Sequence, residues 1–508
     1  MDDVQLAHTG VLVSPVAAVV KACATEEGVS VSKIATLLIT ASLVLGTALV
    51  AGSPASAIRA GDLSVSQGAT APVATKVAAK RQWKAPNGPF FNDPHRKAGH
   101  FRIEQQVIKT IRHTRRGSII RIAVYSFDRM PVANALIAAH RRGVKVQMLL
   151  NDHQDTRAMQ VIRAEIGTNR NKKNFIYKCV ASCRSTENEF NNLHSKFYSF
   201  TQSGKSQDVV AVGSANMMLN AALHQWNDLY FTSGDHILFR KYVSLFNNMK
   251  KDFDTRRPPR FFCGTPLGPV CDDSVDKHTV WAFPKLSGPK NDLVLDMLGK
   301  IQCLTPDGAG GVTRTRLALS MHTMRGRRGD YLATAVRNKF AEGCDFRVSY
   351  GLIGYHTKQI LGAPTARGRI PLRSTGLDYN TEDDFDLNKD GEDDLILDYY
   401  SHQKYFVIQG TYNGVQGTEM VLTGSSNWAS LSTANDELWL TVRGRRVARK
   451  YVRNFDYQWD HDRNSRDAYT TTYSTFRVER DGRWVTERRP VTTIERDNYS
   501  KGPYWESD

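Results

Sequence analysis

Two histidines, two lysines and two asparagines recur in this chain at matched spacing, and their types suit the handling of a phosphate diester. His194-Ser195-Lys196 is followed, 20 residues after the histidine, by the serine of Gly213-Ser214-Ala215-Asn216, and Asp228 then precedes the apolar Leu229-Tyr230-Phe231. His402-Gln403-Lys404 is followed, 23 residues on, by the serine of Gly424-Ser425-Ser426-Asn427, and Glu437 then precedes Leu438-Trp439-Leu440. In a strand, residues i and i+2 share a face, so His and Lys of each tripeptide are expected to point the same way. Glycine lets backbones approach closely, while Ser and Asn offer hydrogen bonds to phosphoryl oxygens. Two such sets gather two imidazoles, two ammonium groups and two amides around one anion, which is what phosphodiester cleavage without a metal would need. Asp228 and Glu437 stand at matching places, each just ahead of an apolar strand. One copy alone reads equally well as a strand surface and a turn; two copies in the same order do not.

The elements that must carry these residues also come twice. A helical period at Ile103, Val107, Ile108 and Ile111 leads into the apolar run Ser118 to Ser126, then a helix from Val132 to Arg142 stopped by Gly143, then a strand from Val144 to Leu150. The second half repeats strand Thr315–Met321, helix Asp330–Glu342, stop Gly343 and strand Phe346–Tyr350. Strand, helix and strand at this spacing predict parallel α/β units, and the repeat predicts a duplication. The expected organisation is a signal peptide over 1–57, a flexible leader over 58–89, a first half over 90–257, a linker over 258–290, a second half over 291–464 and a tail over 465–508. The linker is dense in Pro, Gly and Cys, and the Asp481-Gly482 pair in the tail signals a β-hairpin.

With these residues in place, the chain resembles the phospholipase D superfamily, whose signature is His-x-Lys-x4-Asp followed by Gly-Ser-x-Asn, present twice in monomeric members. The likeness covers roughly residues 90–460. It implies two mixed sheets flanked by helices about a pseudo-twofold axis, with one active site at their interface. It further implies that His194 attacks phosphorus to give a phosphohistidine and His402 serves as acid and then base, with the reverse assignment left open. By the same resemblance, Lys196, Lys404, Asn216 and Asn427 would hold the non-bridging oxygens, and Asp228 and Glu437 would orient and polarise the histidines. The sequence departs from the signature at its aspartates, where Thr201 and Gln409 stand.

The formal net charge of +17 favours anionic partners without choosing among them. Lys33, the apolar run Ile34–Val50 and Ser53-Pro54-Ala55-Ser56-Ala57 read as an export signal cleaved before Ile58. Its loss removes Lys21 and Lys33 with Asp2, Asp3, Glu26 and Glu27, raising the charge to +19. Six cysteines then remain, and in a secreted chain their clustering suggests the pairs Cys179–Cys183, Cys263–Cys271 and Cys303–Cys344. Zinc is disfavoured because no spacing forms a double CxxC pattern. Asp386, Asn388, Asp390 and Asp394, with Gly391, match the start of a calcium loop, although Leu397 replaces its last ligand; a structural Ca2+ stands against an acidic turn, and no cofactor is expected for catalysis.

Basic runs at Arg112–Arg116, Arg325–Arg328 and Arg443–Lys450 read as phosphate-binding or as solvated faces, and Trp226, Trp428 and Trp439 as pocket wall or core. His356-Thr357-Lys358 lacks a following Gly-Ser-x-Asn and is read as incidental. The expected function is a secreted, monomeric hydrolase of phospholipid, giving phosphatidic acid and a head-group alcohol at a membrane surface. A nuclease acting on nucleic acid and a catalytically silent binder of anionic polymers or lipids are the alternatives.

Overall fold

The apolar, β-branched run Ile119–Val124 forms a strand at the heart of a seven-stranded mixed sheet. Lys145–Asn151 and Phe175–Cys179 lie parallel to it on one side. On the other, Phe197–Ser203, Ser206–Gly213, Asp228–Thr232 and Gly88–Phe91 follow in antiparallel order. The computed structural model describes residues 82–184, 191–252, 262–263, 277–285, 288–377, 397–495 and 497. The signal peptide, most of the leader, Cys271 and the calcium-like loop at Asp386, Asn388, Asp390 and Asp394 therefore lie outside the described residues.

The second sheet repeats the arrangement. Arg316–Arg325 is central, Asp345–Ile353 and Leu372–Ser374 run parallel to it, and Lys404–Tyr412, Val415–Gly424, Leu438–Arg443 and His278–Ala282 continue antiparallel. The protein is thus an α/β fold of mixed sheets flanked by helices, as the strand–helix–strand order predicts. The first crossover helix, Met130–Arg141, has Pro131 in its first turn, where its missing N–H costs nothing. It ends before Gly143, whose φ of 90° suits glycine, and Gly343 with φ 111° plays the same part after the helix Gly326–Ala341. The two sheets meet across a shared apolar layer in which Val210, Val212 and Tyr230 of the first pack with Val280, Leu438 and Leu440 of the second.

Two expectations need correction. The linker span contains a strand, His278–Ala282, that pairs with Leu438–Arg443 as Gly88–Phe91 pairs with Asp228–Thr232. Short strands with proline or glycine around them look like linker in composition, yet this one is paired on both sides, by Leu438–Arg443 and by Phe262–Cys263. The histidine tripeptides lie ahead of strands: the strands begin at Phe197 and Lys404, so His194 and His402 stand on the connections leading in. In the tail, Asp481-Gly482 closes a hairpin with strands Thr470–Arg480 and Arg483–Thr493. Two disulfides form as expected, Cys179–Cys183 and Cys303–Cys344. No helix among the described residues is long and apolar enough to cross a membrane.

Candidate active site

Each histidine is carried to the other half of the chain by a short backbone bridge. Leu193 pairs in parallel with Asp436, and the His194 N–H donates to the Asp436 carbonyl at 3.0 Å. In the same way Tyr400–Ser401 pairs with Gln225–Trp226, and the His402 N–H donates to the Trp226 carbonyl at 2.9 Å. These bridges set the two imidazole rings 6.5 Å apart at 77°, both buried, a separation suited to a single phosphorus between them.

The bridges also decide which group each imidazole meets. His194 Nδ1 lies 2.8 Å from Glu437 Oε1, while Glu437 Oε2 accepts from Ser425 Oγ. His402 Nδ1 lies 2.9 Å from Asn227 Oδ1, which also accepts from Ser214 Oγ at 2.9 Å. The Asn227 amide nitrogen donates to the Ala221 carbonyl and Gln225 Oε1, which fixes its oxygen toward the histidine. With its proton held at Nδ1, His402 carries its lone pair on Nε2, which accepts from Lys404 Nζ at 2.7 Å. Lys196 Nζ instead donates to the His194 carbonyl at 2.9 Å and lies 5.2 Å from the centre of the Tyr125 ring.

Asp228 is not the counterpart of Glu437. Gly213 pairs with Leu229 and Gly424 with Trp439, so Asn227 aligns with Glu437 and Asp228 with Leu438. The glycines confirm this register: a Cβ on Gly213 would lie 2.1 Å from the Asp228 carbonyl oxygen, and one on Gly424 2.1 Å from that of Leu438. Asp228 points instead into the core, accepting from Thr423 Oγ1 at 2.6 Å and Tyr451 OH at 2.8 Å. Burial pushes its carboxyl above the usual range, against the pull of those hydrogen bonds and of Lys404. Spacing from the motif serine held the clue. Glu437 stands 12 residues after Ser425, while Asn227 stands 13 and Asp228 14 after Ser214.

Asn216 and Asn427 occupy matching places. Their side-chain oxygens accept from Ser126 N at 3.4 Å and Thr323 N at 3.2 Å, which directs the NH2 end, the donor a phosphoryl oxygen needs, away from those contacts. Sequence reasoning missed Asn227 and two rings that flank the histidines. Tyr125 meets His194 edge-on at 5.1 Å, and His322, one residue before Thr323, sits 4.7 Å from His402.

The remaining candidates fall outside the centre. Thr201 Oγ1 accepts from Ile119 N at 2.9 Å, and Gln409 Nε2 donates to Glu419 Oε2 at 2.8 Å. Each lies five residues along its strand from the motif lysine, roughly 17 Å at the strand rise, and serves its own sheet. Trp428 and Trp439 are core, and Trp226 is buried beside Tyr399. Arg328 is buried and bound to Asp292 and to the Asn427 carbonyl, so this part of the basic run shapes the second motif. His356 faces Asp330 and Lys358 faces Asp497, which makes that tripeptide structural. Among the described residues, no cluster of His, Cys, Asp and Glu is arranged to hold a metal ion.

Residues 107–250 match the family model described as cardiolipin synthase, PLD-like domain. That stretch is thus a phospholipase D-like domain, and the second half carries the matching set of histidine, lysine and asparagine at the same site. No curated protein sequence matches the chain. Among solved structures it is similar to phosphatidylserine synthase of Haemophilus influenzae, at 14% identity over 72% of this chain and 86% of that one, with a TM-score of 0.44. It is also similar to Nuc, a phospholipase D family member from Salmonella typhimurium, at 17% identity over 33% and 97%, TM-score 0.24. A third is polyphosphate kinase of Porphyromonas gingivalis, at 11% identity and TM-score 0.42; the match takes in 73% of this chain and only 50% of that protein. At these scores the likeness carries no weight for substrate.

Proposed function

We propose that this protein is a secreted phospholipid phosphodiesterase that works through a phosphohistidine. The observation that carries the reading is the pair of buried imidazoles at 6.5 Å with unlike partners, Glu437 on His194 and Asn227 on His402. A neutral imidazole that attacks phosphorus becomes cationic, and a carboxylate at its far nitrogen stabilises that charge as it develops. A general acid must give its proton away, and a neutral amide leaves the imidazolium free to do so. The asymmetry therefore supports His194 as nucleophile and His402 as acid.

His194 Nε2 forms the P–N bond as the P–O bond to the head-group alcohol breaks, and His402 Nε2 delivers a proton to that oxygen. Water then attacks phosphorus, gives a proton back to His402, and the P–N bond breaks to release phosphatidic acid. Lys404 now donates to the very nitrogen that must hold the proton, so an arriving phosphate that draws its ammonium away frees Nε2 for protonation. Lys196, Asn216 and Asn427 stabilise the non-bridging oxygens. Export with cleavage before Ile58, and a calcium at Asp386, Asn388, Asp390 and Asp394 that stiffens its loop, belong to the same reading.

A second reading, a nuclease, is favoured by the helix Arg445–Trp459. Arg446, Arg449, Lys450 and Arg453 recur along one face and, among the described residues, meet no carboxylate. Burial and the neighbouring Arg446 and Arg453 lower the Lys450 pKa. A salt-sensitive polyanion track would look like this. The deciding assay sets EDTA-treated protein and its His194→Ala variant against phosphatidylcholine vesicles and plasmid DNA. Choline release lost in the variant supports the lipid reading; DNA cleavage alone selects the nuclease; silence on both overturns the enzyme.

A further inference from the structure

The C-terminal hairpin stands apart from both sheets. Its strands pair only with each other, over 11 residue pairs closed by Asp481-Gly482 with φ 48° and 72°. At the strand rise this makes an arm roughly 35 Å long. A two-stranded hairpin of this kind is marginal alone in water, yet its base is held firmly. Tyr469 OH donates to the Ile370 carbonyl, Ile494 packs on Gly362, and Lys358 Nζ bonds the Glu495 carbonyl at 2.9 Å and Asp497 Oδ1 at 2.8 Å.

The arm gathers the aromatic rings that the rest of the described surface hides. Tyr473, Phe476 and Trp484 are 61%, 40% and 63% exposed, and they are the only aromatics among the exposed large apolar side chains of the described residues. They fall on both faces. Register puts Tyr473, Arg477, Trp484 and Arg488 on one face, where Arg477 stacks over Trp484 and Arg488 over Tyr473. Phe476, Val478 and Val485 lie on the other. Within Thr470–Thr493 five arginines oppose three acids.

A protein partner would cover one face of such a blade. The interfacial layer of a bilayer surrounds it, accepting rings at the level of the head groups while guanidinium groups bond lipid phosphates. We propose that this hairpin is an arm that docks the protein on a membrane containing anionic phospholipid. The proposal deepens the phospholipid reading and rests on it for its purpose, but its test is independent of turnover.

The test is co-sedimentation of the full chain with vesicles of phosphatidylglycerol and phosphatidylcholine, and with phosphatidylcholine alone. The wild type is expected to favour the anionic vesicles, and the double variant Tyr473→Ser/Trp484→Ser to lose at least tenfold in partitioning. Arg477→Gln/Arg488→Gln should remove the preference for anionic lipid while retaining weak binding to both. Thermal unfolding of each variant, matched to wild type, assures that the body is folded. Turnover of the water-soluble diester bis(4-nitrophenyl) phosphate should be unchanged in all of them; if wild type lacks it, the catalytic reading fails while partitioning still judges the arm. Equal partitioning of wild type and the aromatic variant overturns the proposal. So does a wild-type dimer that the aromatic variant converts to monomer, since a second copy would then be the occupant.

Discussion

The two half-sites share a backbone and differ in charge. Bridges, glycine contacts and asparagine placements coincide around His194 and His402, but one imidazole faces a carboxylate and the other an amide. The residues one place before those partners differ as well, Asp436 in one and Trp226 in the other. The two halves thus share their geometry and differ at the single positions that face the imidazoles.

The comparison breaks most openly at the histidines. Replacement of either by alanine is expected to lower kcat by about 10⁴-fold. Only His402→Ala should still accumulate a labelled phosphohistidine from a diester with a good leaving group, as measured by acid-quench trapping; label in His194→Ala instead would exchange the roles. Next in size, Glu437→Gln should cost about 10²-fold in kcat, with little change in KM, because its contact strengthens as charge develops on His194. Making the halves alike with Asn227→Asp should lower kcat by about tenfold. An added carboxylate favours the charged imidazole, so the basic limb of the pH–rate profile moves to higher pH.

Much of this was legible in the chain. The doubled tripeptides and Gly-Ser-x-Asn motifs are contiguous, so sequence spacing carries them, and the strand–helix–strand order follows from periodicity and from Gly143 and Gly343. Partnership across the halves was not legible in the same way, because His194 and Glu437 meet only after the sheets dock. Position was misread where chemistry suggested a stronger candidate: Asp228 is acidic and Asn227 is not, yet register selects the amide. Arg328 looked like surface in a basic run because nothing local reveals that Asp292 awaits it.

Smaller effects test the shared backbone and the charge behind it. Gly213→Ala and Gly424→Ala should each destabilise by about 2 kcal/mol in urea titrations, and similarly, because both bring a methyl against a carbonyl. Burial, only partly opposed by Arg184, pushes the Asp436 carboxyl up to about 7. Its folded value exceeds the unfolded one, so the contribution is fully present below about pH 4 and is lost as pH rises through 7, at roughly 1 kcal/mol per pH unit. Asp436→Asn should flatten that slope in unfolding measured from pH 4 to 8.

The crossed bridges have a consequence for when activity arises. His194 and Glu437 are 243 residues apart, so a ribosome must finish nearly the whole chain before His194 gains its carboxylate. A first half cut free by proteolysis retains His194 but lacks Glu437, the carboxylate that meets its Nδ1. Mixing the separated halves should then restore turnover only to the extent that they re-associate, which makes activity a direct meter of their docking.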